Sequence, residues 1–232
     1  MNHAITTDRS SLAFKGDLLR GRFIRLWARC VSPGVQSDPV SVWNGITNAY
    51  GESHRYYHNK EHLTHCMFSL DSAVHLIKHR DRVEMALWFH DIVNRPGEAD
   101  NEARSATLFR DVAGQVMPSD FVEAVTALVL ATVHQDCPTD LDGQFICDID
   151  LAGFGRPWND YVQDTLKLRA EFPGSDLDYY LTKRAFLEGL LRRPQIFFTE
   201  FFRNRHERRA RDNIRRLLAQ MDRGDRKLRQ AD

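Results

Sequence analysis

The side chains able to do chemistry are concentrated in two apolar stretches and the helix before them. Three histidines, His58, His62 and His65, stand at i, i+4 and i+7 in YYHNKEHLTHC, the spacing that lines one face of a helix. His90 and Asp91 are adjacent near the end of segment 83–93, which is almost wholly apolar. A helix of that composition is buried nearly all round, and an imidazole with a carboxylate inside it costs several kcal/mol unless they are paired or bind a cation. A further acidic pair, Asp148 and Asp150, sits in a later apolar run. A divalent metal would offset that cost, and neutral imidazole with carboxylate suits Zn, Mn, Fe or Ni better than Ca. Each piece alone is weak, because a single histidine on a buried helix is ordinarily a hydrogen-bonded core residue. Taken together they predict a metal centre. Asp148 and Asp150 differ by ~200° on a helix, so one of the two faces a shared ion and the other does not.

The elements that must position these groups are helices. Apolar residues recur with the 3.6-residue period through most of the chain, and strand signals are scarce. Helices are predicted over 17–31, 40–49, 59–79, 82–93, 102–116, 120–134, 144–154, 157–172, 176–192 and 200–221. Pro33 and Pro39 with Gly34, and Pro96 with Gly97, punctuate loops. Asn59 is placed to cap the helix that carries His62, with Glu61 in its first turn. The reading is an all-α, single-domain helical bundle over 1–232. Its motif core spans 55–155, helices over 157–222 pack on that core, and 223–232 form a disordered tail.

Composition narrows the function classes. A chain of 232 residues supports one sizeable core, and 42% hydrophobic with 28% charged residues is ordinary for a soluble globular protein. The formal net charge of zero offers no global steering toward polyanions. No apolar run approaches the ~20 residues that span a bilayer, and the first residues lack the basic-then-apolar pattern of a secretory signal. Cys30, Cys66, Cys137 and Cys147 form no C-x-x-C pair, so they read as reduced thiols of a cytoplasmic protein and not as a structural zinc site.

The motifs resemble a known family. Tyr57-His58-Asn59 with His62, then His90-Asp91, then Asp150-Leu151, look like the H…HD…D pattern of the HD superfamily of metal-dependent phosphohydrolases. The run Asp100-Asn101-Glu102-Ala103-Arg104-Ser105 resembles the D-N-E-x-x-S element of a bacterial subgroup of predicted phosphohydrolases. Y-H-N-x-x-H and H-D also occur in cyclic-nucleotide phosphodiesterases. The resemblance implies an HD-domain, phosphodiesterase-like helical fold in which His62, His90, Asp91 and Asp150 bind the metal. Asp150 is preferred over Asp148 because the phosphodiesterase ligand is likewise followed by Leu. It also implies that His58 is a general acid, since imidazole, with an ordinary pKa near ~6.5, donates a proton at neutral pH.

Glu102 is the candidate to orient or deprotonate the attacking water. His134 is placed to contact phosphate or a second metal, and Arg55, Lys183 and Arg184 are the candidate phosphate contacts. The expected cofactor is one divalent ion, or two, drawn from Mn, Ni, Fe, Zn or Mg. The expected activity is hydrolysis of a phosphomonoester or phosphodiester, of a nucleotide or related small metabolite, by metal-activated water. The alternatives are an HD-fold di-iron oxygenase, with His134 an extra ligand, and a non-catalytic helical binding module.

His54, His75 and His79 read as solvated or packing residues, and His65 as a neighbour of the ligands. From Phe201 onward eleven basic residues face five acidic ones. With Glu207–Arg211 and Asp212–Arg216 at i,i+4, that helix reads as a solvated face and not a nucleic-acid patch. Phe197, Phe198, Phe201 and Phe202 read as core or homodimer contacts.

Overall fold

The computed structural model describes residues 7–228, with side chains described for 18–223, and these residues form helices and no strand. In chain order they are α1 (Thr7–Cys30), α2 (Pro39–Ala49), α3 (Lys60–Ala73), α4 (Arg80–Phe89), α5 (Asn101–Ala113), α6 (Ser119–Ala131), α7 (Leu141–Leu151), α8 (Trp158–Glu171) and α9 (Asp176–Arg192). The last helix comes in three parts: α10 (Glu200–Phe202), a π turn over Arg203–Glu207, and α11 (Arg208–Leu228). Short 3₁₀ turns follow α3 (Val74–Leu76) and α7 (Ala152–Gly155). The expected all-α bundle is what the chain forms. α11 is described as far as Leu228, and of the tail expected to be disordered from 223, residues 229–232 lie outside the described residues. No helix among the described residues is long and apolar enough to cross a membrane.

The bundle is built around α4. Every residue from Val83 to Phe89 is buried, and α4 packs against α1, α3, α5, α6 and α7. Trp88 anchors the α1–α2 side, with Phe23 and Trp43 edge-on to it at 5.5 and 5.8 Å between ring centroids. Such aromatic pairs add about 0.5–1.5 kcal/mol beyond their buried area. Glu84 is the charge inside this apolar helix, and Arg22 Nε meets it at 2.7 Å, as a buried carboxylate requires. The helix ends at Phe89, so His90 and Asp91 fall at its C-terminus, where the chain turns.

Geometry requires glycine at positions 97 and 155, among others. Gly97, in the loop after α4, has φ +83° and faces the Pro173 ring. At Gly155 an added Cβ would sit 2.5 Å from His206 Nδ1 on the π turn. Phe197 and Phe202 are buried in the core, and Phe198 and Phe201 pack against it. Arg216 lies over the Trp158 ring at 4.0 Å. Glu207 and Arg211 pair at 2.6 Å as expected, whereas Asp212 pairs one residue earlier than expected, with Arg215 at 3.6 Å.

Asp148 and Asp150 of α7 part company. Asp148 is fully buried and turns away from α3 and α4, toward the N-terminus of α10. It accepts hydrogen bonds from the Phe198 and Thr199 amides and the Thr199 hydroxyl, each at 2.7 Å. Burial pushes its carboxyl up to about 6, although these donors favour the charged form. Replacing Asp148 with Asn turns an amide donor toward donors, with an expected loss of roughly 1–3 kcal/mol of stability in chemical denaturation. Bound metal should not change. A variant of unaltered stability would show that this anchor contributes nothing.

Candidate metal centre

Asn59 caps α3, its side-chain oxygen accepting from the Glu61 amide at 2.8 Å. That cap places His58 just outside the helix and His62 in its first turn. The buried face of α3 carries His62 and Cys66 inward. The end of α4 brings His90 and Asp91 to the same point, and α7 brings Asp150. His62 Nε2 lies 3.2 Å from His90 Nε2, 3.3 Å from Asp91 Oδ2 and 3.4 Å from Asp150 Oδ1. His90 Nε2 lies 3.0 Å from Asp91 Oδ2 and 3.6 Å from Asp150 Oδ1. Four side chains from α3, the α4 terminus and α7 thus share a centre.

Those separations fit a common ion. Donors ~2.0–2.2 Å from a metal are ~3.4 Å apart in a tetrahedral arrangement and ~3.0 Å apart when mutually perpendicular. Two further observations support the fit. His90 Nδ1 donates to the Leu87 carbonyl at 2.8 Å, which leaves Nε2 as the lone-pair atom facing the centre. Asp91 Oδ2 is buried at the centre, where the His62 and His90 imidazoles face it.

The electrostatics agree. Burial alone would push the His62 and His90 imidazoles down, but the anionic groups around them outweigh it and hold both well above the ordinary histidine range. Burial would raise Asp91 and Asp150. Against that, the His90 charge for Asp91, and the His134 hydrogen bond with the His62 and His90 contacts for Asp150, hold the two well below the usual carboxylate range. The cluster calls for buried positive charge, and a metal ion can take the place of those protons.

His134 joins the centre from outside the helices. The expected helix to 134 stops at Ala131, and His134 adopts a left-handed backbone (φ 59°), uncommon for a residue with a Cβ. Its Nε2 meets Asp150 Oδ2 at 2.7 Å, which holds the aspartate's second oxygen. His134 therefore touches a candidate ligand. Arg193 donates to its carbonyl oxygen.

His58 has a partner 113 residues further along the chain. Glu171, at the end of α8, accepts the Tyr57 and His58 amides at 2.7 and 2.8 Å on one oxygen, and His58 Nδ1 at 2.5 Å on the other. This fixes the proton on Nδ1 and leaves Nε2 for chemistry. Glu102, half-buried in the first turn of α5, has its carboxyl raised by burial and by the charges of Asp91 and Asp150. The rest of the D-N-E-x-x-S run ties α5 to the loop after His90-Asp91. Asn101 bonds Arg95 through both its oxygen and its amide, and Ser105 accepts the Val93 amide at 3.0 Å.

The three proposed phosphate contacts are not at the centre. Arg55 is buried, and its donors are taken by Glu52 and by the carbonyls of His58, Asp91 and Ile92. It clamps the chain around the ligands and offers nothing to a substrate. Arg184 is held on the surface between Glu188 and Asp222. Lys183 lies over the Phe154 and Phe186 rings, and burial there lowers it to about 8. The arginine that lines a cavity beside the centre is Arg156, paired with Asp164 at 2.8 Å. That cavity holds about 200 Å³ and is bounded by His62, Cys66 and Asp150 on one side and Arg156 and His206 on another. His65 lines it without reaching the ligands' shared centre. His54, His75 and His79 bond or pack elsewhere, against Asn94, Phe201 and Asp142.

Compared with models of known families, with curated proteins and with solved structures, the chain finds no match.

Proposed function

We propose that this protein is a metal-dependent phosphohydrolase acting on a compact phosphate ester. The observation that carries the reading is the convergence of His62, His90, Asp91 and Asp150 on one point, with the His58–Glu171 pair beside it. The motif resemblance of the same residues supports the same reaction class. His62, His90, Asp91 and Asp150 would hold a divalent ion of the Mn, Ni, Fe, Zn or Mg group. Such an ion, when bound, supplies Lewis acidity and activates water for attack on phosphorus.

The chain supplies the rest. His58, oriented through Nδ1 by Glu171, holds a proton at Nε2 for the departing oxygen. Glu102, its carboxyl shifted toward neutrality, takes the proton of the attacking water. His134 keeps Asp150 aligned through its second oxygen. The adjoining cavity, about 200 Å³, falls below the ~300–1,000 Å³ of typical ligand clefts, which favours a small ester over a bulky one. The four free cysteines suit a reducing, cytoplasmic setting.

The test pairs metal analysis of the purified protein with a phosphate-release screen against monoesters, and against diesters with an added phosphatase that frees phosphate from the monoester product. The expected result is about one ion per chain and a rise in melting temperature on adding metal, since an ion at 100 times its Kd adds about 2.7 kcal/mol. Phosphate is then released from at least one ester. Two irons per chain with oxygen-dependent turnover would move the protein to the oxygenase class. A metal-free chain whose melting temperature ignores divalent ions would leave a helical binding module.

A further inference from the structure

Cys66 stands apart from the other cysteines. Cys147 is an ordinary core thiol that donates to the Ala131 carbonyl at 3.2 Å, and Cys137 is exposed. Cys66 is buried on α3 one turn beyond His62, and its Sγ lies 3.6 Å from His62 Nε2. Adjacency to His62 follows from i,i+4 spacing on any helix. Proximity to the rest of the centre does not. One ligand atom each from His62, Cys66, His90 and Asp150 all lie within 4.8 Å of one another, and the last two come from other helices.

The distances match a shared ion. A metal ~2.3 Å from a thiolate sulfur and ~2.0–2.1 Å from an imidazole nitrogen, with about 110° between them at the ion, sets the two donors ~3.6 Å apart. Cys66 also lines the cavity that His62 and Asp150 line.

We propose that Cys66 is a ligand of the metal centre, binding as a thiolate and biasing it toward zinc, cobalt or ferrous iron over magnesium. The inference rests on the metal-centre reading above and adds a sulfur donor to it. On binding, the S–H proton passes to solvent and the sulfur lone pair forms the bond to the ion, with no change of oxidation state. A soft sulfur donor does little for magnesium and favours borderline ions, so the donor set fixes the selectivity.

The test uses the full chain, stripped of metal and titrated with cobalt(II). The expected result is a near-ultraviolet sulfur-to-cobalt charge-transfer band together with visible d–d bands. In Cys66→Ser the charge-transfer band disappears and the visible bands persist. Zinc affinity falls at least about tenfold in that variant while magnesium affinity stays within about twofold. Cys66→Ala gives the same spectrum, so a fault in hydroxyl packing cannot mimic the effect. Visible bands without a charge-transfer band in the unaltered protein would overturn the assignment of Cys66 and leave the rest of the centre standing. Failure to take up cobalt at all would overturn the metal centre itself, and the sulfur ligand with it.

Discussion

Replacing His90 with Ala is expected to reduce bound divalent metal to background and to lower phosphate-ester hydrolysis by at least about a thousandfold, or ~4 kcal/mol. The side chain is 1% exposed and its Nε2 faces Asp91, His62 and Asp150. Its loss removes a donor that no neighbour can replace. Asp150→Asn should behave alike, because Asp150 touches His62, His90 and His134 at once. Stability in the absence of metal gives the control. Without the ion the four-group cluster is held by imidazole–carboxylate pairing, so either substitution strands buried charge and lowers the melting temperature as well. Metal retained at the wild-type level in both variants would remove the centre from consideration, whatever the activity.

The second large effect concerns His58 and Glu171. His58→Ala should cost about 10²–10⁴-fold in turnover with metal content unchanged, since His58 is not among the ligand atoms. Glu171→Gln should cost about 10–100-fold, the usual penalty for losing an orienting partner. It should also show in stability. Burial opposes the charge on Glu171, but hydrogen bonds from the His58 ring and from two backbone amides outweigh it and hold the carboxyl below its ordinary value. A depressed folded-state pKa gives stability that is present above the unfolded carboxylate range and lost as pH falls through the folded value. Wild type and Glu171→Gln should therefore differ most near neutrality and converge in acid. A stability gap that widens in acid would contradict the pairing.

Much of this centre was legible before any coordinates. His62, His90 and Asp91 announced themselves by helical spacing and by lying in or beside a segment too apolar to bury them unpaired. The Asn59 cap was readable from one residue type at one position. The choice between Asp148 and Asp150 needed more than periodicity, and the structure separates them by giving Asp148 the α10 terminus. Three features were not legible. Glu171 lies far along the chain from His58, and no local pattern links an acid at the end of one helix to the loop before another. Arg55 carries the charge that phosphate binding calls for, yet whether a guanidinium turns outward or spends its donors on carbonyls is decided by tertiary packing. Cys66 lies one helical turn from His62, but its approach to His90 and Asp150 depends on how the end of α4 and α7 pack against α3.

The π turn over 203–207 sets the phase of everything after it. Ala210, Asn213, Ile214 and Leu217 are buried on α11, and Asn213 donates to the carbonyls of Phe154 and Arg156 beside the cavity. A wide turn accommodates one more residue than an α turn, and each residue advances an α-helix by ~100°. Deleting a single residue there would let the helix wind regularly with that apolar stripe still facing the bundle, whereas winding the same residues as a plain α-helix would swing the stripe about a quarter-turn off it. The chain's C-terminal helix is thus keyed to the body by a turn wide enough to absorb one extra residue without losing its phase.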